Sequence, residues 1–159
     1  MELTILLTGG CGFVGIAVAE KLLAAGYRVV VFDLNPLKDK LGQYLAGIGG
    51  DRFSYSQGNV LDKTQVRQTA TQHDVDVIFH AAAVTPDKER ETCHGLSIIN
   101  VNCGGMVNVM EVAEEVGIAS FIYLSTGAVY GKGQWQQAEL FEERTPEDPE
   151  TYYEVTKFA

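Results

Sequence analysis

Cysteine is scarce in this chain of 159 residues: Cys11, Cys93 and Cys103 are the only three, the count is odd, and no C-x-x-C pair occurs. A disulfide scaffold is therefore excluded as the organising device, and a reduced, cytoplasmic protein is expected. Positive charge is short as well. Twelve Lys and Arg against 21 Asp and Glu leave a formal net charge of −9, which argues against duplex DNA or an anionic membrane surface as the main partner, although a local basic pocket stays open. No continuous apolar run reaches the roughly 18 to 20 residues that span a bilayer, and no basic segment precedes the first strand, so neither export nor membrane insertion is expected. Internal repeats and low-complexity tracts are missing too, and no metal is expected.

What is present is enough for one packed domain, since 46% of the residues are hydrophobic and 21% charged. Short runs rich in β-branched and aromatic residues recur at Leu3–Leu7, Arg28–Phe32, Phe53–Ser56, Val75–His80 and Ser120–Leu124, each of a length that suits a buried strand. Helical patterns lie between them. Phe13–Ala25 places Val14, Val18 and Leu22 on one face, and Gly104–Val116 spaces Met106, Val109, Met110, Ala113 and Val116 by three or four. Gly26 and Gly117 follow these runs where a left-handed residue ends a helix. Alternating strands and helices predict an α/β fold of Rossmann type, a doubly wound parallel sheet in the order 3-2-1-4-5. The stretch Gly131–Pro149 is polar, acidic and Pro-containing, and reads as a long loop before a last helix that starts near Pro149–Tyr153.

The first strand runs into Thr8-Gly9-Gly10-Cys11-Gly12-Phe13-Val14-Gly15. Glycines there permit a turn that side chains block and let a pyrophosphate approach the backbone, and the following helix start offers free N–H groups to its phosphates. Asp33 ends the second strand 18 residues after Gly15, near the spacing at which a carboxylate accepts from an adenosine ribose. This favours NAD over NADP, because a carboxylate repels a 2′-phosphate; Arg28 and Lys38 nearby keep NADP open. A plain turn opened by Asp33 with Asn35-Pro36 is the simpler alternative. Ser125 and Thr126 follow the fifth run, where parallel sheets place ligands beyond the carboxyl ends of their strands; an ordinary hydroxyl turn cap is again the alternative. Tyr153 and Lys157 stand four apart at a helix start, so they share a face. A phenol next to an ammonium can be drawn toward working pH and move a proton.

Together these residues resemble the short-chain dehydrogenase/reductase superfamily, and within it the extended branch of NAD-dependent nucleotide-sugar epimerases and dehydratases. The resemblance covers the whole chain. The branch's T-G-G-x-G-F-x-G turn is met by Thr8–Gly15, and Gly58-Asn59-Val60 is similar to its adenine-contacting segment, with Asn59 where Asp is usual. An amide oxygen can still accept from adenine. His80-Ala81-Ala82-Ala83 is similar to the cofactor-lining segment after strand four, and Asn102 matches the Asn of N-V-x-G-T, although Cys103 and Met106 depart from that pattern. By resemblance, NAD would be held by Gly9, Gly12, Phe13, Val14, Gly15, Asp33, Asn59, Val60, Ala81, Ala82, Ala83, Asn102, Ser125, Tyr153 and Lys157. Thr126, Tyr153 and Lys157 would be catalytic, Tyr153 as acid or base and Lys157 lowering its pKa while holding the nicotinamide ribose.

The resemblance implies an enzyme that moves hydride between a substrate alcohol, in a nucleotide sugar, and nicotinamide. Relatives that eliminate water carry T-D-E, whereas Gly127 and Ala128 follow Thr126 here. Neither can transfer a proton, which argues against a 4,6-dehydratase and leaves epimerisation, alcohol oxidation or oxidative decarboxylation. Ala159 lies two residues after Lys157, so the expectation is a truncated chain, 1–159 being an NAD(P)-binding domain without its C-terminal substrate lobe. Such a piece is expected to bind NAD with little activity and to expose strand Ser120–Leu124 as an edge; the full-length form is expected to be a homodimer. A non-catalytic NAD(P)-binding sensor or interaction module is the alternative function.

Overall fold

Strand β1 (Thr4–Thr8) is buried along its whole length because it has a parallel neighbour on either side and helices on both faces. β2 (Arg28–Asp33) pairs with it in the register Leu7↔Val31. β4 (Val77–His80) pairs on the other side with Leu7↔Phe79. β3 (Phe53–Gln57) and β5 (Ser120–Tyr123) complete a sheet in the expected order β3-β2-β1-β4-β5. The computed structural model describes residues 3–85, 87–131 and 145–159. The centre of the predicted loop, 132–144, lies outside the described residues.

The chain forms two compact units, Met1–Ala82 with Gly105–Leu124, and Ala83–Gly104 with Ser125–Ala159. The first holds the whole sheet. Alternate residues along its strands face opposite ways, so Leu7, Val29 and Val31 point toward α1 (Phe13–Ala24) and α2 (Asp39–Gly49). They form a core there with Ala19, Leu23 and Leu45. Leu6, Val30 and Ile78 face the other way and are equally buried. On that side α6 (Gly105–Val116) packs on β4 and on α3 (Lys63–Gln72). Each such aliphatic side chain contributes about 1.5–3 kcal/mol of transfer free energy. Gly26 and Gly117 do adopt positive φ, at 93° and 75°, and end α1 and α6 as the sequence predicts.

Helices α2 and α3 are additions to the expected pattern. Asp62 caps α3 by accepting from the amides of Thr64 and Gln65, a local start signal that the apolar rhythm does not register. Of the outer strands, β3 differs from the expected burial, while β5 lies at an exposed edge as the sequence suggests. β3 is only half-buried, and β5 alternates between exposed Ser120 and Ile122 and half-buried Phe121 and Tyr123. Position at the sheet edge, not the apolar composition, decides this.

The second unit contains α4 (Lys88–Cys93), α5 (Gly95–Ile99), a π-helical turn over Asn100–Gly104, a 3-10 turn over Gly127–Tyr130 and α7 (Tyr152–Phe158). The helical stretch Gly95–Val116 has 22 residues and a mean hydropathy of 1.2, long and apolar enough by length and composition to cross a membrane. It is not a continuous apolar run, since Asn100, Asn102, Asn108, Glu111, Glu114 and Glu115 interrupt it. Its polar side chains are used inside the protein: Asn102 bonds Val84 and Thr156, Asn108 donates to the Val60 carbonyl, and Glu111 takes Lys63.

Candidate functional site

In the sheet unit the glycine turn is shaped by contact as well as by dihedral angle. Gly9 has φ +70°, and a Cβ there would lie 2.6 Å from the Ala82 amide nitrogen. A Cβ at Gly15 would strike the Gly9 carbonyl oxygen and come within 2.6 Å of the Gly10 Cα. The chain of β1, the start of α1 and the Ala81-Ala82 segment thus meet at backbone distance, which only glycine allows. The Gly12 amide donates to the Gly9 carbonyl at 3.1 Å, and Gly12 is the N-cap of α1 without a side chain to occupy the helix N-terminus. Phe13 and Val14 stand outside, Phe13 at 93% exposure.

Asp33 does two things that the sequence sets against each other. Its Oδ1 accepts from the Asn35 amide at 2.9 Å and from Asn35 Nδ2 at 3.2 Å, so it does open the turn. Its Oδ2 accepts from the Cys11 amide at 2.9 Å, inside the glycine turn. A carboxylate has about four acceptor sites, and three are used, which leaves capacity for a further donor. Burial, with the Asp33 charge adding to it, pushes the Cys11 thiol up to about 11. Cys11 is accordingly a neutral thiol at ordinary pH.

Thr8 Oγ1 lies 2.8 Å from His80 Nδ1, and the Ala82 amide donates to the same hydroxyl at 3.3 Å. His80 is fully buried and stacks between Phe121 and Tyr123, with centroids 6.0 Å away in each case. It acts as a core residue that fixes the end of β4 against β1. Asn59 Oδ1 accepts from the Leu61 amide at 3.0 Å, and the Asn59 amide donates to Gln65 Oε1. One lone pair of that amide oxygen therefore goes to its own turn. Val60 is buried, and a Cβ on Gly105 would lie 2.7 Å from its Cγ2, so its side chain packs against the start of α6.

In the second unit the predicted proton-transfer residues come together around α7. Thr126 caps the Gly127–Tyr130 turn, its hydroxyl accepting from the Ala128 amide at 3.3 Å. The turn-cap reading of Thr126 is the one the hydrogen bonds show. Lys157 is 4% exposed. Burial pushes the Tyr153 phenol above its ordinary 10.0, while Thr126 pulls it down less strongly. Burial also pushes Lys157 below 10.5, with Cys103 opposing. Desolvation penalises both charged forms here.

Two further predicted residues have partners within the unit. The Ser125 hydroxyl donates to the Lys157 carbonyl at 2.8 Å, which ties it to α7. Asn102, 1% exposed, takes the Val84 amide on Oδ1 at 2.7 Å and donates from Nδ2 to the Val84 carbonyl and to Thr156 Oγ1 at 3.0 Å. Thr156 in turn donates to the Tyr153 carbonyl at 2.8 Å. Asn102 therefore positions the loop and the tyrosine's helix through bonds inside the unit. Ala83 opens this unit, next to the Val84 that Asn102 holds.

Sequence reading also overlooks a residue. The Glu91 carboxylate of α4 accepts from the Tyr152 and Tyr153 amides, each at 3.0 Å. Nothing in the periodicity of 87–93 signals it, whereas the capping box of Thr151 and Glu154 next to it is written as T-Y-Y-E.

The NAD dependent epimerase/dehydratase family model matches residues 5–159. The chain belongs to that family. It is 30% identical over 159 residues to a UDP-glucose 4-epimerase of Lacticaseibacillus casei, covering 99% of this chain and 44% of that protein. It is 34% identical over 133 residues to a UDP-N-acetyl-alpha-D-glucosaminuronate decarboxylase of Bacillus cytotoxicus, covering 84% and 39%. The solved structure of Thermus thermophilus UDP-glucose 4-epimerase in complex with NAD superposes with a TM-score of 0.81 at 28% identity, over 98% of this chain and 47% of that one. The family member described here spans less than half the length of these relatives.

Proposed function

We propose that this chain carries the NAD-binding half and the proton-transfer residues of an enzyme that oxidises a nucleotide-sugar hydroxyl to a transient ketone and reduces it again, an epimerase. Tyr153 with buried Lys157 one helical turn on, the Thr126 side chain favouring the ionised form of the phenol, is the observation that carries the reading. The turn of Gly9, Gly12 and Gly15 fits a dinucleotide pyrophosphate, because the space a Cβ would fill is the space backbone needs to approach phosphate. Asp33 supports NAD over NADP through its remaining acceptor capacity. Bound NAD supplies the hydride acceptor.

Tyr153 then takes the proton from the substrate hydroxyl and returns it, and Thr126 donates to the oxygen as it becomes a carbonyl. Gly127 and Ala128 supply no second acid or base, so elimination of water is disfavoured, while oxidation and decarboxylation stay within the same chemistry. A substrate-selecting lobe beyond these residues, a reducing cytoplasmic setting and a homodimer of the complete protein belong to the same reading. The dimer draws support from Leu96 and Phe158 of the second unit, exposed at 73% and 56%, which a second copy would cover.

The raised Tyr153 pKa favours one other reading, a dinucleotide-binding module that does not turn over. Assaying the complete protein with NAD against UDP-hexoses separates the two. We expect interconversion of C4 epimers, and a fall of about 10²–10⁴-fold in turnover for Tyr153→Phe with NAD affinity within threefold. Turnover unchanged by Tyr153→Phe would overturn the mechanism; NAD binding without turnover of any nucleotide sugar would favour the module.

A further inference from the structure

Helix α7 has seven residues, too short to hold itself together by its own hydrogen bonds, yet it carries Tyr153 and Lys157. The amides at its start are all accounted for. Glu154 donates its amide to Thr151 Oγ1, while Glu154 Oε2 receives the Thr151 and Glu150 amides at 3.0 and 2.7 Å. The first two helical amides, of Tyr152 and Tyr153, would ordinarily face water. Here both point at one carboxylate, Glu91, which lies 62 residues before Tyr153 and grips the pair with one oxygen each at 3.0 Å. Tyr152 is held from a third side, since a Cβ on Gly95 would lie within 2.6 Å of its ring carbon Cδ2.

We infer that Glu91 is a positioning residue for the catalytic tyrosine, resting on the function proposed above. Charge-assisted bonds to backbone amides are about twice as strong as neutral ones and sit at the positive end of the helix. A bidentate grip on consecutive amides also fixes rotation of the helix about its axis, which a single bond does not. Asn102, through Thr156 and the Tyr153 carbonyl, secures the same turn from below. The Tyr153 side chain therefore leaves a backbone clamped at its amide by Glu91 and at its carbonyl by Thr156. The direction in which the side chain leaves is set because that freedom has been removed, and reactions with a positioned group lose rate steeply when the position loosens.

The test uses the complete protein with NAD and a UDP-hexose. Glu91→Gln keeps one acceptor and places an NH₂ against the second amide, so it should lower kcat about tenfold with KM within twofold, per NAD-binding site titrated. Glu91→Ala should lower kcat further, and Glu91→Asp should recover part of it. The pH profile of kcat should move in Glu91→Gln, which a loss of folded protein would not produce. Hydrogen exchange at the Tyr152 and Tyr153 amides, expected at least tenfold faster in Glu91→Gln with β1 and β4 amides unchanged, reads the clamp without turnover. If the wild type turns over no nucleotide sugar, the proposed function fails while the exchange result still decides the clamp. Unchanged kcat in Glu91→Gln, or unchanged exchange at both amides, overturns the inference.

Discussion

In the sheet unit the functional positions are backbone positions: Gly9, Gly12 and Gly15 matter for the side chains they lack, and Asp33 serves by holding the Cys11 amide. In the second unit they are side chains, Tyr153 and Lys157, held on a short helix by polar partners from Glu91, Asn102 and Ser125. A cofactor cradle that takes phosphate through amides can be built from apolar packing and close approach. Proton transfer needs specific side-chain atoms at fixed places, and a polar network supplies that. The first design is sensitive to added volume, the second to lost hydrogen bonds.

The largest effect should come from adding volume to the cradle. Gly15→Ala puts a methyl against the Gly9 carbonyl, and we expect about 3 kcal/mol of destabilisation and a loss of NAD affinity beyond 100-fold, by melting and calorimetric titration. NAD affinity within threefold of wild type would break the distinction drawn here. In the second unit, Asn102→Leu strips partners from the buried Val84 amide and Thr156. It should cost about 2–3 kcal/mol and lower turnover while NAD affinity stays within threefold. Asp33→Ser should weaken NAD about tenfold and narrow the preference over NADP by removing the carboxylate's repulsion of a 2′-phosphate, read by titrating both dinucleotides.

The smallest effect is one of pH. Lys157 has a folded pKa below its ordinary 10.5, so the folded chain binds fewer protons than the unfolded chain between the two values. Stability must then rise with pH across that window and be lost as pH falls through the folded pKa. Tyr153, raised above 10.0, works the other way, with stability falling as pH climbs beyond 10. Denaturant unfolding between pH 8 and 10 should steepen upward in the wild type and flatten in Lys157→Met. An equal slope in both would remove burial as the cause.

Where the determinants are local, the residues announce them. Glycine spacing in Thr8–Gly15, an acidic residue at the end of β2 and a four-residue step from Tyr153 to Lys157 need no knowledge of the rest of the chain. Asp33 is a finer case: turn opening and contact with the glycine turn looked like rivals, and one carboxylate has acceptors for both. Asn102, Ser125 and Val60 look like ligand contacts in sequence, and that their side chains also have internal partners, in Val84, Thr156, Lys157 and the Gly105 backbone, is visible only in the fold. Glu91 has no local signal at all; its partners are 61 and 62 residues away.

Strand order was readable because apolar period, glycine stops and the handedness of crossovers leave few arrangements for five parallel strands. Exposure of β3 was not, since FSYSQ reads like any buried strand until its place at an edge is known. The amino-acid sequence by itself determined the alternation of elements, the phosphate-accepting turn and the pairing of a phenol with an ammonium, all set by spacings within one strand, turn or helix. Tertiary structure alone decided which of the predicted polar atoms gain internal partners, which carboxylate clamps Tyr153, and that Tyr153 and Lys157 are pushed toward their neutral forms. Burial and long-range hydrogen bonding govern those outcomes, and both exist only once distant segments have met.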